Sequence, residues 1–93
     1  MADYEDEEVS VHELFGLKFR GTLREQRAIW LKLTMSAESR EWSVARNLYQ
    51  MLLSPVLTSE VESVAKRMEA ADTAMTRLSA HLIDELEAAR SQG

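Results

Sequence analysis

Two stretches of this chain, residues 22–53 and 59–90, contain neither glycine nor proline. Those residues are the strongest punctuation a backbone has, glycine by permitting left-handed geometry and proline by fixing φ and removing a donor. Here they occur only at Gly16, Gly21, Pro55 and Gly93. The distribution predicts two long helices joined by a turn at residues 54–58, because Pro55 disfavours helical geometry at Ser54. A connection of about five residues makes adjacent helices run antiparallel. Each stretch of about 32 residues spans roughly 48 Å as a helix, so the two match end to end. The expected fold class is all-α: an antiparallel helical hairpin, coiled-coil-like, dimerising into a four-helix bundle. A break in the first helix near 34–39, giving a three-helix bundle, is the alternative.

Side-chain periodicity carries the same expectation. Thr22 stands three residues before Glu25, a capping-box spacing that satisfies two orphan amides at a helix start. On a wheel of about 100° per residue, Leu23, Ile29, Trp30 and Leu33 share one arc. Ala37, Val44, Ala45, Leu48, Met51 and Leu52 continue that arc without a phase change, which favours one helix over two. In the second stretch, Ser59 and Glu62 repeat the capping spacing. Val61, Val64, Met68, Ala71, Met75, Leu78 and Leu82 then follow at alternating steps of three and four, a coiled-coil seam. Asp72 and Ser79 fall at the edge of that seam, wetted by solvent, or alternatively fixing its register. Met51, Met68 and Met75 read as adaptable core fillers.

The first stretch has more apolar surface than one seam uses. Trp42, Tyr49, Leu31 and Leu53 lie outside or at the edge of the shared arc, and a large unshared apolar face marks an interface. Three things would cover it: residues 9–19 folding back, a second copy across a two-fold axis, or a different protein.

Charge is distributed unevenly within the net −5: residues 1–13 carry −6, residues 14–32 carry +4, residues 33–58 balance, and residues 59–93 carry −3. The domain division this suggests is an acidic, partly disordered N-terminal arm over 1–21 with a short apolar-aromatic segment, and a helical hairpin domain over 22–93. Within the arm, Leu14, Phe15, Leu17 and Phe19 look like a docking peptide that orders on a partner. The plainer reading is a short helix capped by Ser10, with Glu13 three residues on, packed on the hairpin. Arg20, Arg24 and Arg27 share one helical face and form a candidate anion-binding stripe, although an acidic chain without a recognisable nucleic-acid motif makes a poor duplex binder.

Catalytic and metal chemistry find no foothold in this pattern. No Gly-rich phosphate loop or nucleophile motif occurs, and no cysteine is present for a disulfide or thiolate zinc site. Neither His12 nor His81 has a glutamate three residues earlier, as di-iron bundles require. His81 reads as a surface histidine. No cofactor and no metal are expected, and the chain is not expected to be an enzyme. No apolar run approaches the length of a membrane span, and the acidic start is unlike a secretory signal, so the expected compartment is cytoplasmic.

The sequence therefore predicts a non-catalytic protein–protein interaction module, a small adaptor, assembly factor or chaperone. Its partner is another protein, itself, or both, with no membrane, bound through Trp42, Tyr49, Leu53 and Leu31 together with the arm residues above. A nucleic-acid-associated regulator using Arg20, Arg24 and Arg27 is the first alternative, and a structural subunit of a larger particle the second.

Overall fold

A computed structural model describes residues 10–53 and 58–92. The described chain begins with two strands, β1 (Ser10–Leu14) and β2 (Leu17–Gly21), followed by α1 (Leu23–Thr34), α2 (Ala37–Leu52) and α3 (Thr58–Gln92). It is mostly helical but mixed, which corrects the all-α two-helix hairpin expected above: three helices and a small antiparallel sheet stand in its place.

The sheet is a two-strand hairpin with His12 opposite Phe19 and Leu14 opposite Leu17. Opposed residues share a face, so His12, Leu14, Leu17, Phe19 and Gly21 point one way while Val11, Glu13, Lys18 and Arg20 point the other. Burial follows that period of two: Leu14 and Phe19 are buried, whereas Val11, Glu13, Lys18 and Arg20 are exposed. The loop is Phe15-Gly16, with φ of 50° and 79° respectively. Positive φ at both central residues matches the twist of a two-residue hairpin, and Gly16 adopts it without penalty. The predicted helix capped by Ser10 is thus replaced by a strand. Alternation of apolar residues on either side of a two-residue turn outweighs the capping spacing of Ser10 and Glu13.

Helix α1 starts as its sequence predicts. The Thr22 hydroxyl accepts from the Glu25 amide at 3.1 Å, and the Thr22 amide donates to Glu25 Oε1 at 2.8 Å. The helix stops at Thr34 because side chains compete for its last carbonyls. Thr34 Oγ1 donates to the Leu31 carbonyl at 2.9 Å, and Ser36 Oγ donates to that of Leu33 at 2.7 Å. The same Ser36 hydroxyl accepts from the Ser39 amide at 3.0 Å and so caps α2. One serine closes one helix and opens the next. The uninterrupted helix over 22–53 is therefore corrected: an interruption of two residues, Met35 and Ser36, changes the wheel phase too little to be seen in the hydrophobic pattern.

Helix α3 starts at Thr58, one residue ahead of the start marked by Ser59, and its 35 residues reach roughly 52 Å at 1.5 Å per residue. It forms the spine of a molecule measuring 56 × 26 × 20 Å. Both shorter helices run antiparallel to it: from α1 Glu25 pairs with Arg90 and Lys32 with Glu85, and from α2 Glu38 shares a cleft with Leu78 and His81 whereas Trp42, one turn on, bonds to Asp72. The predicted turn at residues 54–57 lies outside the described residues.

The core sits at one end. Leu14 and Phe19 of the hairpin pack with Ile29 and Leu33 of α1 and with Met75, Leu82 and Ile83 of α3. There the hairpin makes a second layer over a pair of helices, the minimum arrangement that encloses side chains on both sides. The hairpin and α1 together cover that part of α3, where the expected two-helix hairpin had a single helix facing it. Ser79, expected at a wetted edge, is instead fully buried in this layer at 0% exposure, because α1 and the hairpin widen the buried face of α3 beyond a two-helix seam.

Candidate protein-docking surface

Residues singled out in the sequence fall into two groups with different fates. In the first group, the hairpin tip meets the tryptophans. The Phe15 ring stands edge-on to Trp42, with centroids 5.5 Å apart and planes at 85°, and to Trp30 at 6.1 Å and 62°. Such pairs add about 0.5–1.5 kcal/mol beyond burial alone. They offset the strain of holding a bulky residue at positive φ. Trp42 Nε1 donates to Asp72 Oδ1 at 2.6 Å, and the Arg46 guanidinium lies 5.1 Å over the indole. Trp42 is half-buried by its own chain. Leu14 and Phe19 belong to the core, with Phe15 and Leu17 packed against it. The structure thus places the four arm residues on the chain itself.

A polar clamp fixes the base of the hairpin. Arg90, near the end of α3, donates through Nη1 to the Arg20 carbonyl at 2.7 Å and through Nε to Glu25 Oε2 at 3.0 Å, with a second bond to Glu25 Oε1. A Cβ at Gly21 would lie 3.3 Å from the Phe19 ring, tighter than an ordinary contact, and at contact distance from Arg90 Nη2, so the missing side chain there leaves room for the buried phenyl ring. Hydrogen bonding to Arg90, aided by the Thr22 amide and opposed by partial burial, holds the Glu25 carboxyl below its ordinary range. The Arg90 guanidinium is correspondingly raised by Glu25. His12 Nε2 lies 2.7 Å from the Gly21 carbonyl and donates to it, closing the open end of the two strands.

The second group lies at the other end, where α2 and α3 form a single layer. Among described residues 46–53 and 59–70, none is buried. Leu48, Tyr49, Leu52, Val61, Val64 and Met68 line the helix pair and are all half-exposed. Val44, Met51 and Leu53 stand further out, at 47%, 71% and 63% exposure. On the wheel Val44 and Met51 are seven residues apart, on the same flank of α2. Sequence reasoning named Leu53 and Tyr49 here but assigned Val44 and Met51 to the internal arc. The missed signal was the phase of Glu41, whose bridge to Arg67 at 2.8 Å marks the edge of the α2–α3 contact.

Leu31 is exposed on the outer face of α1 beside Met35, at 62% and 75%, separate from the α2–α3 end. Arg20, Arg24 and Arg27 all have exposed side chains, yet Arg24 and Arg27 already engage other groups. His81 is exposed and lies 3.2 Å from Glu85. Among the described residues no group of three His, Cys, Asp or Glu side chains is arranged to hold a metal ion, and no helix is long and apolar enough to cross a membrane. Compared with family models, with curated proteins and with solved structures, the chain matches none.

Proposed function

We propose that this protein is a non-catalytic interaction module whose docking surface is the single-layer end of α2 and α3, recognising another polypeptide through apolar side chains. One observation carries the reading: in residues 46–53 and 59–70 every side chain of the helix pair keeps contact with water, while Val44, Met51 and Leu53 project beyond it. A helix pair without a second layer leaves its apolar seam accessible, and flexible methionine at such a place suits a surface that adapts to what it meets. The aromatic pair Trp42 and Tyr49 borders the same end, with Trp42 also tied to the fold through Asp72.

Site-specific photo-crosslinking tests this. A photoreactive residue at Met51, in cells that make the protein, is expected to give adducts with a polypeptide. The same residue at Asp84, exposed on α3 at the opposite end, is expected to give none. Absence of any polypeptide adduct at Met51 would refute the reading. The nucleic-acid alternative has less support, since two of its three arginines are already engaged.

A further inference from the structure

We infer that the outer edge of β1 accepts an extended segment of another polypeptide, one carrying lysine or arginine at alternate positions, which adds a third strand to the hairpin. This surface is separate from the single-layer end of α2 and α3, so each reading stands or falls without the other.

Backbone geometry is the first argument. Across a two-residue loop, Leu14 and Leu17 form the hydrogen-bonded pair that closes the turn, and in an antiparallel ladder such pairs alternate with non-bonded ones. His12 and Phe19 are then bonded, whereas Val11–Arg20 and Glu13–Lys18 are not. The N–H and C=O groups of the non-bonded residues point away from the partner strand, those of Val11 and Glu13 along one edge and those of Lys18 and Arg20 along the other. The second edge is occupied: the Arg20 carbonyl accepts from Arg90 Nη1 at 2.7 Å, and α1 and α3 approach β2 more closely than β1. Among the described residues no strand except β2 pairs with β1. Edges are usually blunted by lysine, proline, a bulge or a covering element. Strand β1 contains no lysine or proline and its register is unbroken, while Val11, a good strand former, is 65% exposed. Such an edge is a template for main-chain pairing, which only an extended polypeptide can supply.

Charge selects the occupant. Residues 1–13 hold six acids and no lysine or arginine. Glu7 and Glu8 are three and two residues from Ser10, so chain length alone keeps them within about 11 Å of the start of β1, close to the screening length of about 8–10 Å. Glu13 is exposed on the solvent face of the strand. A residue directly opposite it on an added strand would stand about 4.5–5.5 Å away, near enough for a base to be attracted and an acid repelled. Val11 shares that face two residues earlier, so the matching strand alternates a base with an apolar side chain. A second copy of β1 is the wrong occupant, because it brings a further −6 against the first.

Hydrogen exchange read by NMR on the full chain tests the inference, with the capped peptide Lys-Thr-Val-Thr-Lys-Thr-Val-Thr-Lys as probe. In the chain alone, the amides of Val11 and Glu13 are expected to exchange freely while those of His12 and Leu14 are protected. Saturating peptide should slow Val11 and Glu13 at least about 10-fold and leave His12 and Leu14 nearly unchanged. A peptide N-methylated on its valines and central lysine, the amides that face β1 in this register, keeps its charge and should bind at least about 10-fold more weakly. Glutamate in place of lysine should abolish binding. Glu13→Lys should weaken binding about 10-fold. Val11→Pro removes an edge donor without removing a bond to β2, so it should abolish the protection of Glu13 and preserve that of Leu14. The inference is overturned if Val11 and Glu13 are already protected without peptide, or if no peptide-dependent protection appears there up to about 1 mM. It is equally overturned if the N-methylated or glutamate peptide binds as well as the first, or if either substitution leaves binding unchanged.

Discussion

The two ends of α3 are made of similar residues and end in different states. From Ala71 to Ile83 the spine contributes five buried positions, Ala71, Met75, Ser79, Leu82 and Ile83; from Ser59 to Ala70 it contributes none. Apolar supply does not explain the difference, since Val61, Val64 and Met68 continue the same seam. What differs is the neighbour. At one end a hairpin twelve residues long lays Leu14 and Phe19 over α1 and α3; at the other, among the described residues, α2 alone faces α3. A pair of helices shields one stripe on each partner and leaves both flanks wet, so burial at this size depends on the number of layers more than on hydrophobicity.

The largest expected contrast is energetic. Phe19→Ala should destabilise the chain by roughly 3–4 kcal/mol, the usual cost of emptying a buried aromatic site. Leu52→Ala, half-exposed in the single layer, should cost roughly 1 kcal/mol. Urea unfolding monitored by Trp fluorescence, at a concentration low enough to exclude association, measures both; equal losses would break the comparison.

A smaller effect belongs to the clamp. Glu25 is depressed by Arg90, so its contribution is complete above the ordinary carboxylate value of 4.5 and is lost as pH falls through its lower folded value. Glu25→Gln should flatten the stability profile over that acid range, and hydrogen exchange should show the hairpin amides losing protection before those of α3. Acid exchange in which the single-layer end alone responds would place the pH sensitivity elsewhere.

The smallest effect should have the opposite sign. Ser79 Oγ is buried without a hydrogen-bond partner, an arrangement that usually costs about 1–3 kcal/mol. Ser79→Ala should therefore raise the unfolding midpoint, by up to about 1 kcal/mol of stability once the smaller side chain's lost contacts are counted. A lowered midpoint would mean that the hydroxyl holds its place through a bond of its own, and that the two-layer end is better satisfied than its geometry indicates.

Much of the local structure was legible. Thr22 and Glu25 announced the start of α1, and the three-four stepping of Val61 to Leu82 announced the helical spine. The hairpin is legible too, against the helix capped by Ser10 expected from spacing: Val11-His12-Glu13-Leu14 and Leu17-Lys18-Phe19-Arg20 alternate about a two-residue loop ending in Gly16, a stronger signal than a lone capping spacing. The helix break was harder. Ser36 is an ordinary capping residue, but nothing local says whether its hydroxyl will bond outward or back to Leu33. Of the candidate surface residues, Leu53 and Leu31 were identified as projecting apolar groups, whereas Val44 and Met51 were not. Their exposure depends on which flank of α2 meets α3.

What the residues determined by themselves is therefore short-range: where helices begin, where φ must turn positive, which positions alternate, and that no membrane-spanning helix is encoded among the described residues. Tertiary structure decided which apolar groups are sheltered. Leu14 and Phe19 changed from a proposed docking peptide into core because the hairpin had α1 and α3 to lie on, while the chemically similar seam of α2 and α3 has no second layer among the described residues. Propensity acts over a few residues, but burial depends on which surfaces the chain brings face to face, and that pairing is a property of the whole fold.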